Sequence, residues 1–334
     1  MILRPLAIIL LVFYHAFIPY IHGWSKQPEG FHDIEAYWWI AKFSYSFMLE
    51  LFVFISGYVF ALILARKPCF RQILFNKFKR LYVPCIIFST VYIFMFYDFS
   101  VFSFGKYLTI LLSGAGHLWF LPMLFWAIII AYLVDKIKYP LYIKTLMCCT
   151  FPLMSVLPIP FQLNTAFYYV PFFYLGIVFY RLNLSVGKYN TSKNCILIGG
   201  GYLLTFIIGT ILINNSAGIF NYDTYFIAKV LKAETIIITR LIYSFLGVLC
   251  LYMSVNFIIN NGLRVPNWLV KVNSICFGVY IFQQFILMYL YYHTALPIIV
   301  GAYWLPWIGV VVTLVLSILF SILLKSIPGI KQII

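Results

Sequence analysis

Apolar stretches long enough to cross a membrane recur along the whole of this 334-residue chain. A membrane helix needs ~20 apolar residues to traverse ~30 Å of hydrocarbon, because each backbone N–H and C=O must find its partner inside the segment. Such stretches fall at about 4–22, 45–65, 82–98, 117–134, 141–157, 166–181, 195–213, 239–259, 274–292 and 303–325. With 64% hydrophobic and 9% charged residues, nothing is left over from which to build a soluble domain. The expectation is an all-α polytopic membrane protein, a bundle of about ten transmembrane helices forming one domain over 1–334. The piece at 99–113 reads as partly inserted, and 166–181 is short for a crossing.

A net charge of +15 would suit a nucleic-acid partner until the charges are placed. The loop after the second stretch carries Arg66, Lys67, Arg71, Lys77, Lys79 and Arg80, which marks it as cytoplasmic. Alternating sides from there leaves most of the 23 lysines and arginines inside, with both termini cytoplasmic. The acids divide the other way: Glu29, Asp33, Glu35, Asp98, Asp223 and Glu234 fall outside, and only Asp135 inside. The excess charge is then a topology signal, and the implied partner is a lipid bilayer, not nucleic acid. Cys69, Cys85, Cys148, Cys149, Cys195, Cys250 and Cys276 fall in cytoplasmic loops or crossings, so structural disulfides are not expected. No Cys/His spacing reads as a metal site. The first stretch has no small-residue cleavage site behind it and is expected to remain as a crossing.

The first crossing opens with Arg4 and holds His15 eleven residues later. Eleven residues make about three helical turns, so the two share a face roughly 16 Å apart. An arginine at mid-bilayer costs at least ~2.5 kcal/mol, which favours a functional reason for keeping it. Otherwise Arg4 anchors the cytoplasmic end and His15 marks the far interface. In the second crossing, Glu50 precedes Leu51-Phe52-Val53-Phe54-Ile55-Ser56-Gly57-Tyr58. Glu50 lies in the outer half of its helix, as His15 does. A carboxylate bonded to one imidazole nitrogen fixes the tautomer and stabilises the imidazolium, the pairing used in general-base catalysis. The alternative is a buried neutral acid. Ser56-Gly57 also reads as a point of close helix approach.

The inner loop ending at Lys77-Phe78-Lys79-Arg80-Leu81-Tyr82-Val83-Pro84 is denser in cations than topology requires. It either meets lipid headgroups or clamps a phosphorylated cytosolic ligand. The outer loop 22–43 carries His22, Trp24, His32, Asp33, Glu35, Trp38 and Trp39, which suits an interfacial aromatic belt or a surface that stacks on a sugar. The outer loop 214–238 is the most polar segment and has no catalytic motif. His117-Leu118-Trp119 opens the fourth crossing, and Tyr174-Leu175-Gly176 with Tyr180-Arg181 ends the sixth. The ninth carries Gly278, Tyr280, Gln283 and Gln284. No internal repeat is visible and an intramembrane charge network is faint, so a transporter of a glycan intermediate is the weaker reading. A non-catalytic scaffold would leave His15 and Glu50 unexplained.

In this order the motifs resemble the acyltransferase-3 family of integral-membrane acyltransferases, the bacterial O-acetyltransferase type. That family opens with an arginine, ten residues and a histidine, matched by Arg4 and His15. An acid before a Phe-rich Ser-Gly-aromatic run follows (Glu50 to Tyr58), then a basic segment before Tyr-x-Pro (Lys77 to Pro84). A Trp-Phe-Leu segment (Trp119 to Leu121), a Leu-Gly element ending in Tyr-Arg, and a Gly-x-Tyr pattern (Gly278 to Gln284) complete the set. The chain departs from the pattern in three places: Lys77-Phe78-Lys79-Arg80 replaces paired arginines, Gln283 stands where many members have histidine, and the usual lead-in before Arg4 is short.

The resemblance implies an acyl-CoA co-substrate, most often acetyl-CoA, with no tightly bound cofactor. It implies a glycan or lipid-linked sugar hydroxyl as acceptor, at the bacterial cytoplasmic (inner) membrane. On that reading His15 is the base, with Glu50 and Arg4 in the catalytic group. Arg71, Lys77, Lys79, Arg80 and Arg181 would hold the CoA phosphates. Tyr14, Ser56 and Tyr280 are candidate oxyanion donors, and His117, Trp119 and Gln284 are substrate candidates.

Overall fold

The computed structural model describes residues 2–98, 103–182, 191–215, 226–262 and 266–326. Among these, every regular element is helical. The chain runs through α1 (Leu3–Phe17), α2 (Glu35–Tyr45), α3 (Met48–Leu64), α4 (Phe70–Lys77), α5 (Val83–Phe96), α6 (Phe104–Ser113) and α7 (Phe120–Lys136). It continues with α8 (Leu141–Thr150), α9 (Leu163–Arg181), α10 (Ser192–Asn214), α11 (Phe226–Asn260), α12 (Asn267–Tyr292) and α13 (Leu296–Lys325). Short 3₁₀ turns extend α1 and α8 and lead into α7, and a π turn (Phe78–Tyr82) joins α4 to α5.

Nine segments among the described residues are long and apolar enough to span a bilayer, so the chain is an all-α polytopic membrane protein. The exception is the expected crossing at 141–157. There Pro152 ends the α-helix and the segment finishes as a 3₁₀ turn, Phe151–Val156. Ten α and six 3₁₀ residues reach about 27 Å, just short of the ~30 Å of hydrocarbon. The parity of the topology rests on this one segment: if it crosses, both termini share a side.

Three expected loops are helical. The outer loop 22–43 stops at Ile34, and α2 begins at Glu35, whose carboxylate favours a helix N-terminus. The basic inner loop is α4 plus the π turn. The polar segment 214–238 is helix from Phe226 onward, and residues 216–225 lie outside the described set. In each case the polar residues are spread along a helix that the hydropathy pattern truncated. The piece at 99–113 contains α6, which is too short to cross. The tenth expected stretch keeps its boundary because Gly301, at φ 67° and ψ 167°, breaks α13 in a conformation only glycine adopts cheaply.

The chain divides into two compact units. The first comprises Met1–Met48 and Arg264–Ile334 and contains α1, α2, α12 and α13. Tyr291 on α12 is its hub: the ring is fully buried, and the hydroxyl donates to the Ala16 carbonyl on α1 (3.0 Å), with the Leu305 carbonyl of α13 at 3.4 Å. Tyr20 bonds the Ala302 carbonyl, and Tyr37 links the Tyr303 carbonyl (2.9 Å) to the Trp307 indole (3.0 Å). Aromatic side chains with one polar tip thus tie α1 and α2 to the start of α13.

The second unit, Leu49–Leu263, is built around α7, which is buried on most of its circumference. Its α10 is the reverse, with Ile196 and Leu197 about three-quarters exposed, an apolar surface of the kind a bilayer accommodates. Gly57 of α3 and Gly176 of α9 meet backbone to backbone. A β-carbon on Gly57 would sit 1.9 Å from the Phe173 carbonyl oxygen, and one on Gly176 2.1 Å from that of Phe54. The close approach expected at Ser56-Gly57 is therefore made with the glycine of the Tyr-Leu-Gly motif. Gly57→Ala and Gly176→Ala should each cost about 2–3 kcal/mol, because the obstructing atoms are backbone and cannot rotate away. Either would appear as a melting temperature in detergent several degrees below wild type, and an unchanged transition would contradict this packing.

Candidate active site

In the first unit, α1 carries Arg4, Tyr14 and His15. Its apolar run gives a continuous helix with Pro5 near the start, where the missing N–H does no harm. His15 is buried, and its Nδ1 lies 3.1 Å from the Leu11 carbonyl one turn back. In the neutral ring that bond places the proton on Nδ1 and the lone pair on Nε2. Tyr14 packs beside it, with ring centroids 5.0 Å apart, and stacks on Tyr45 of α2 at 4.5 Å. Arg4 lies within electrostatic reach of Cys276 on α12. Tyr280 and Gln284 are buried on α12, where Tyr280 stacks on Phe277. The same unit thus holds Arg4, Tyr14, His15, Tyr280 and Gln284.

The other expected site residues belong to the second unit. Glu50 on α3 is fully buried and accepts a hydrogen bond from the Tyr168 hydroxyl of α9 (3.0 Å). Arg240 of α11 reaches the same carboxylate oxygen at 3.8 Å, and its guanidinium lies over the Tyr168 ring, 5.3 Å from the centroid. Ser244, one turn after Arg240, is fully buried. This is an intramembrane charge network, contrary to the expectation that one was faint. Arg240 and Tyr168 were missed for a definable reason. The expected eighth crossing began at 239, which placed Arg240 at its tip, whereas α11 begins at Phe226 and carries Arg240 into its interior. An arginine in the run Ile236-Ile237-Ile238-Thr239-Arg240-Leu241-Ile242, facing a carboxylate elsewhere in the bilayer, was the available signal.

His117 and Trp119 sit on the 3₁₀ turn Gly116–Trp119 that leads into α7. That turn is fixed by the Ser89 hydroxyl, which accepts from the Ala115 N–H (3.0 Å), and by Gly116, which packs against the Tyr92 ring. His117 is buried near Tyr92, and Trp119 faces Tyr169 of α9. The Ser56 hydroxyl donates to the Phe52 carbonyl within its own helix (2.8 Å) and would have to rotate to serve an oxyanion. Arg71, Lys79 and Arg80 are exposed, while Lys77 lies over the Phe60 ring at 5.5 Å. Arg181 makes a bidentate pair with Asp135 (2.6 and 2.9 Å), and Tyr174 donates to the same carboxylate at 3.4 Å. Its fork therefore already grips one anion, the acid expected on the cytoplasmic side.

The described residues thus form a polytopic helical membrane protein that carries a buried histidine in one unit and a buried carboxylate–arginine pair and a basic helix in the other. The acyltransferase-3 family model, an acyltransferase domain, matches residues 2–326, and the chain belongs to that family. It is an integral-membrane acyltransferase. No curated protein and no solved structure matches it.

Proposed function

We propose that this acyltransferase moves an acetyl group from cytosolic acyl-CoA to a hydroxyl of a surface glycan, glycolipid or lipid-linked sugar, at the bacterial cytoplasmic membrane with both termini inside. The observation that carries this reading is the setting of His15: buried in a crossing, with Nδ1 bonded to the Leu11 carbonyl, on the face that begins with Arg4. His15 Nε2 takes the proton of the acceptor hydroxyl as its oxygen attacks the thioester carbonyl. The oxyanion is met by Tyr14 or Tyr280. Collapse of the tetrahedral species expels the CoA thiolate, which takes the proton back from the imidazolium, so the histidine ends as it began. On the family resemblance, the inner cations Arg4, Arg71, Lys77, Lys79 and Arg80 would hold the CoA phosphates.

The test uses inside-out and right-side-out vesicles carrying wild type or the Lys79→Ala/Arg80→Ala chain, supplied with labelled acetyl-CoA. Label should enter the glycan and lipid fractions only in inside-out vesicles. The double variant should need roughly ten- to hundredfold more donor, the loss expected when charged phosphate contacts go. Incorporation in right-side-out vesicles alone would overturn the donor side, and equal donor titrations would reduce the basic helix to a topology signal.

A further inference from the structure

Gln283 lies in the interior of α12 in the first unit, with none of its surface exposed. Neither its Nε2 nor its Oε1 has a hydrogen-bond partner among the described residues. An amide offers two donors and an acceptor, and leaving all of them unmet inside a crossing is costly. The fully buried Thr313 hydroxyl on α13 is in the same condition. The register of the two helices is set at one end by Lys325, which donates to the Ser274 carbonyl, and at the other by Tyr291 against Leu305. Between those points the antiparallel pairing brings Gln283 level with residues 313–317.

The position of Gln283 along α12 matters as much as its burial. Seven residues before it, Cys276 is within electrostatic reach of both Arg4 and Lys325, so that end of the unit is cationic. Seven residues are two helical turns, so Cys276 and Gln283 share a face, about 10 Å apart. Eight residues after it, Tyr291 bonds Ala16, the neighbour of His15, about 12 Å further along. Gln283 therefore stands midway between a cationic end and the level of the buried histidine.

We infer that Gln283, with Thr313, is the subsite for an amide of the pantetheine arm of an acyl-thioester donor, between phosphates at the Arg4 end and the thioester at His15. This rests on the acyl-CoA reading above. An extended pantetheine arm runs about 15 Å from sulfur to phosphate, with its farther amide about 9 Å from the sulfur, by ordinary bond lengths. Arg4 and His15 are roughly 16 Å apart along α1, comparable with the length of that arm, and Gln283 lies on α12 between their levels. A secondary amide presents one N–H and one C=O side by side, the complement of a glutamine carbonyl and amino group.

The full chain in lipid nanodiscs provides the test, by equilibrium binding of labelled acetyl-CoA to wild type, Gln283→Leu and Thr313→Val. Gln283→Leu should weaken acetyl-CoA and S-acetylpantetheine alike, by roughly tenfold, with Thr313→Val weaker in the same direction. Adenosine 3′-phosphate 5′-diphosphate, the phosphate half of the donor, should compete equally against wild type and variant. The melting temperature of Gln283→Leu should match or exceed wild type, since an unmet amide is removed. If wild type does not bind acetyl-CoA, the donor reading fails and the subsite with it. If wild type binds and Gln283→Leu binds equally, the subsite alone is overturned. It is also overturned if the phosphate half loses affinity to the same degree, or if Gln283→Leu loses its melting transition.

Discussion

His15→Ala should remove acyl transfer while the chain still inserts, folds and melts normally. General-base assistance is worth ~10² to 10⁴-fold, and the proposed base is held in place by its own helix. Its Nδ1 is engaged by the Leu11 carbonyl of the same helix, one turn back. Truncation leaves α1 its other buried contacts, Ala7, Ile8, Leu11, Val12 and Phe17. Label transfer from acetyl-CoA should fall at least ~10²-fold in His15→Ala and in His15→Gln, with the elution profile in detergent unchanged. A variant within twofold of wild type would assign His15 to packing and leave the chemistry without a base on α1.

The second large effect is on stability and comes from Glu50 and Arg240. Glu50→Gln leaves a guanidinium in the membrane interior without its carboxylate, and Arg240→Gln leaves the buried carboxylate without its countercharge. Removing one partner of such a pair costs about 3–5 kcal/mol, with the lower figure apt here because Arg240 is partly open and its contact is 3.8 Å long. The Glu50→Gln/Arg240→Gln chain should be more stable than either single variant, because two neutral amides carry no unpaired charge. Melting of the four proteins in one detergent measures the coupling, and strictly additive losses would show that the two groups do not interact. If Glu50 also serves the reaction, the double variant should regain stability without regaining rate.

Much of this architecture is legible in the sequence because a bilayer forces each crossing to be locally complete. Positions of α1 and α7 follow from apolar length alone, and Gly57 can be recognised as a packing point before its partner is known. Polar residues that ride on a helix are harder to read. Hydropathy cuts off Glu35 to Lys42, the basic residues of α4 and the first turns of α11, all of which are helical. Pairings between helices are harder still. The isolated carboxylate of Glu50 announces that a partner exists, but three crossings must be packed before Arg240 and Tyr168 are found to be it. Likewise Arg181 reads as a spare cation until Asp135 is seen in its grip.

The π turn at Phe78–Tyr82 gives the basic segment a property of its own. An α-helix advances about 100° per residue, and a wider turn advances less, so α4 and α5 are out of phase although the chain between them never leaves helical form. On the α5 side the phase is fixed by Cys85 and Ser89, both turned fully inward. The azimuth of Arg71 and Lys77 is therefore set by one extra residue in the turn and not by the crossing it precedes. Such a turn acts as an indexing joint: the cations can be re-aimed by inserting or deleting a single residue, while the crossing that follows keeps its seat.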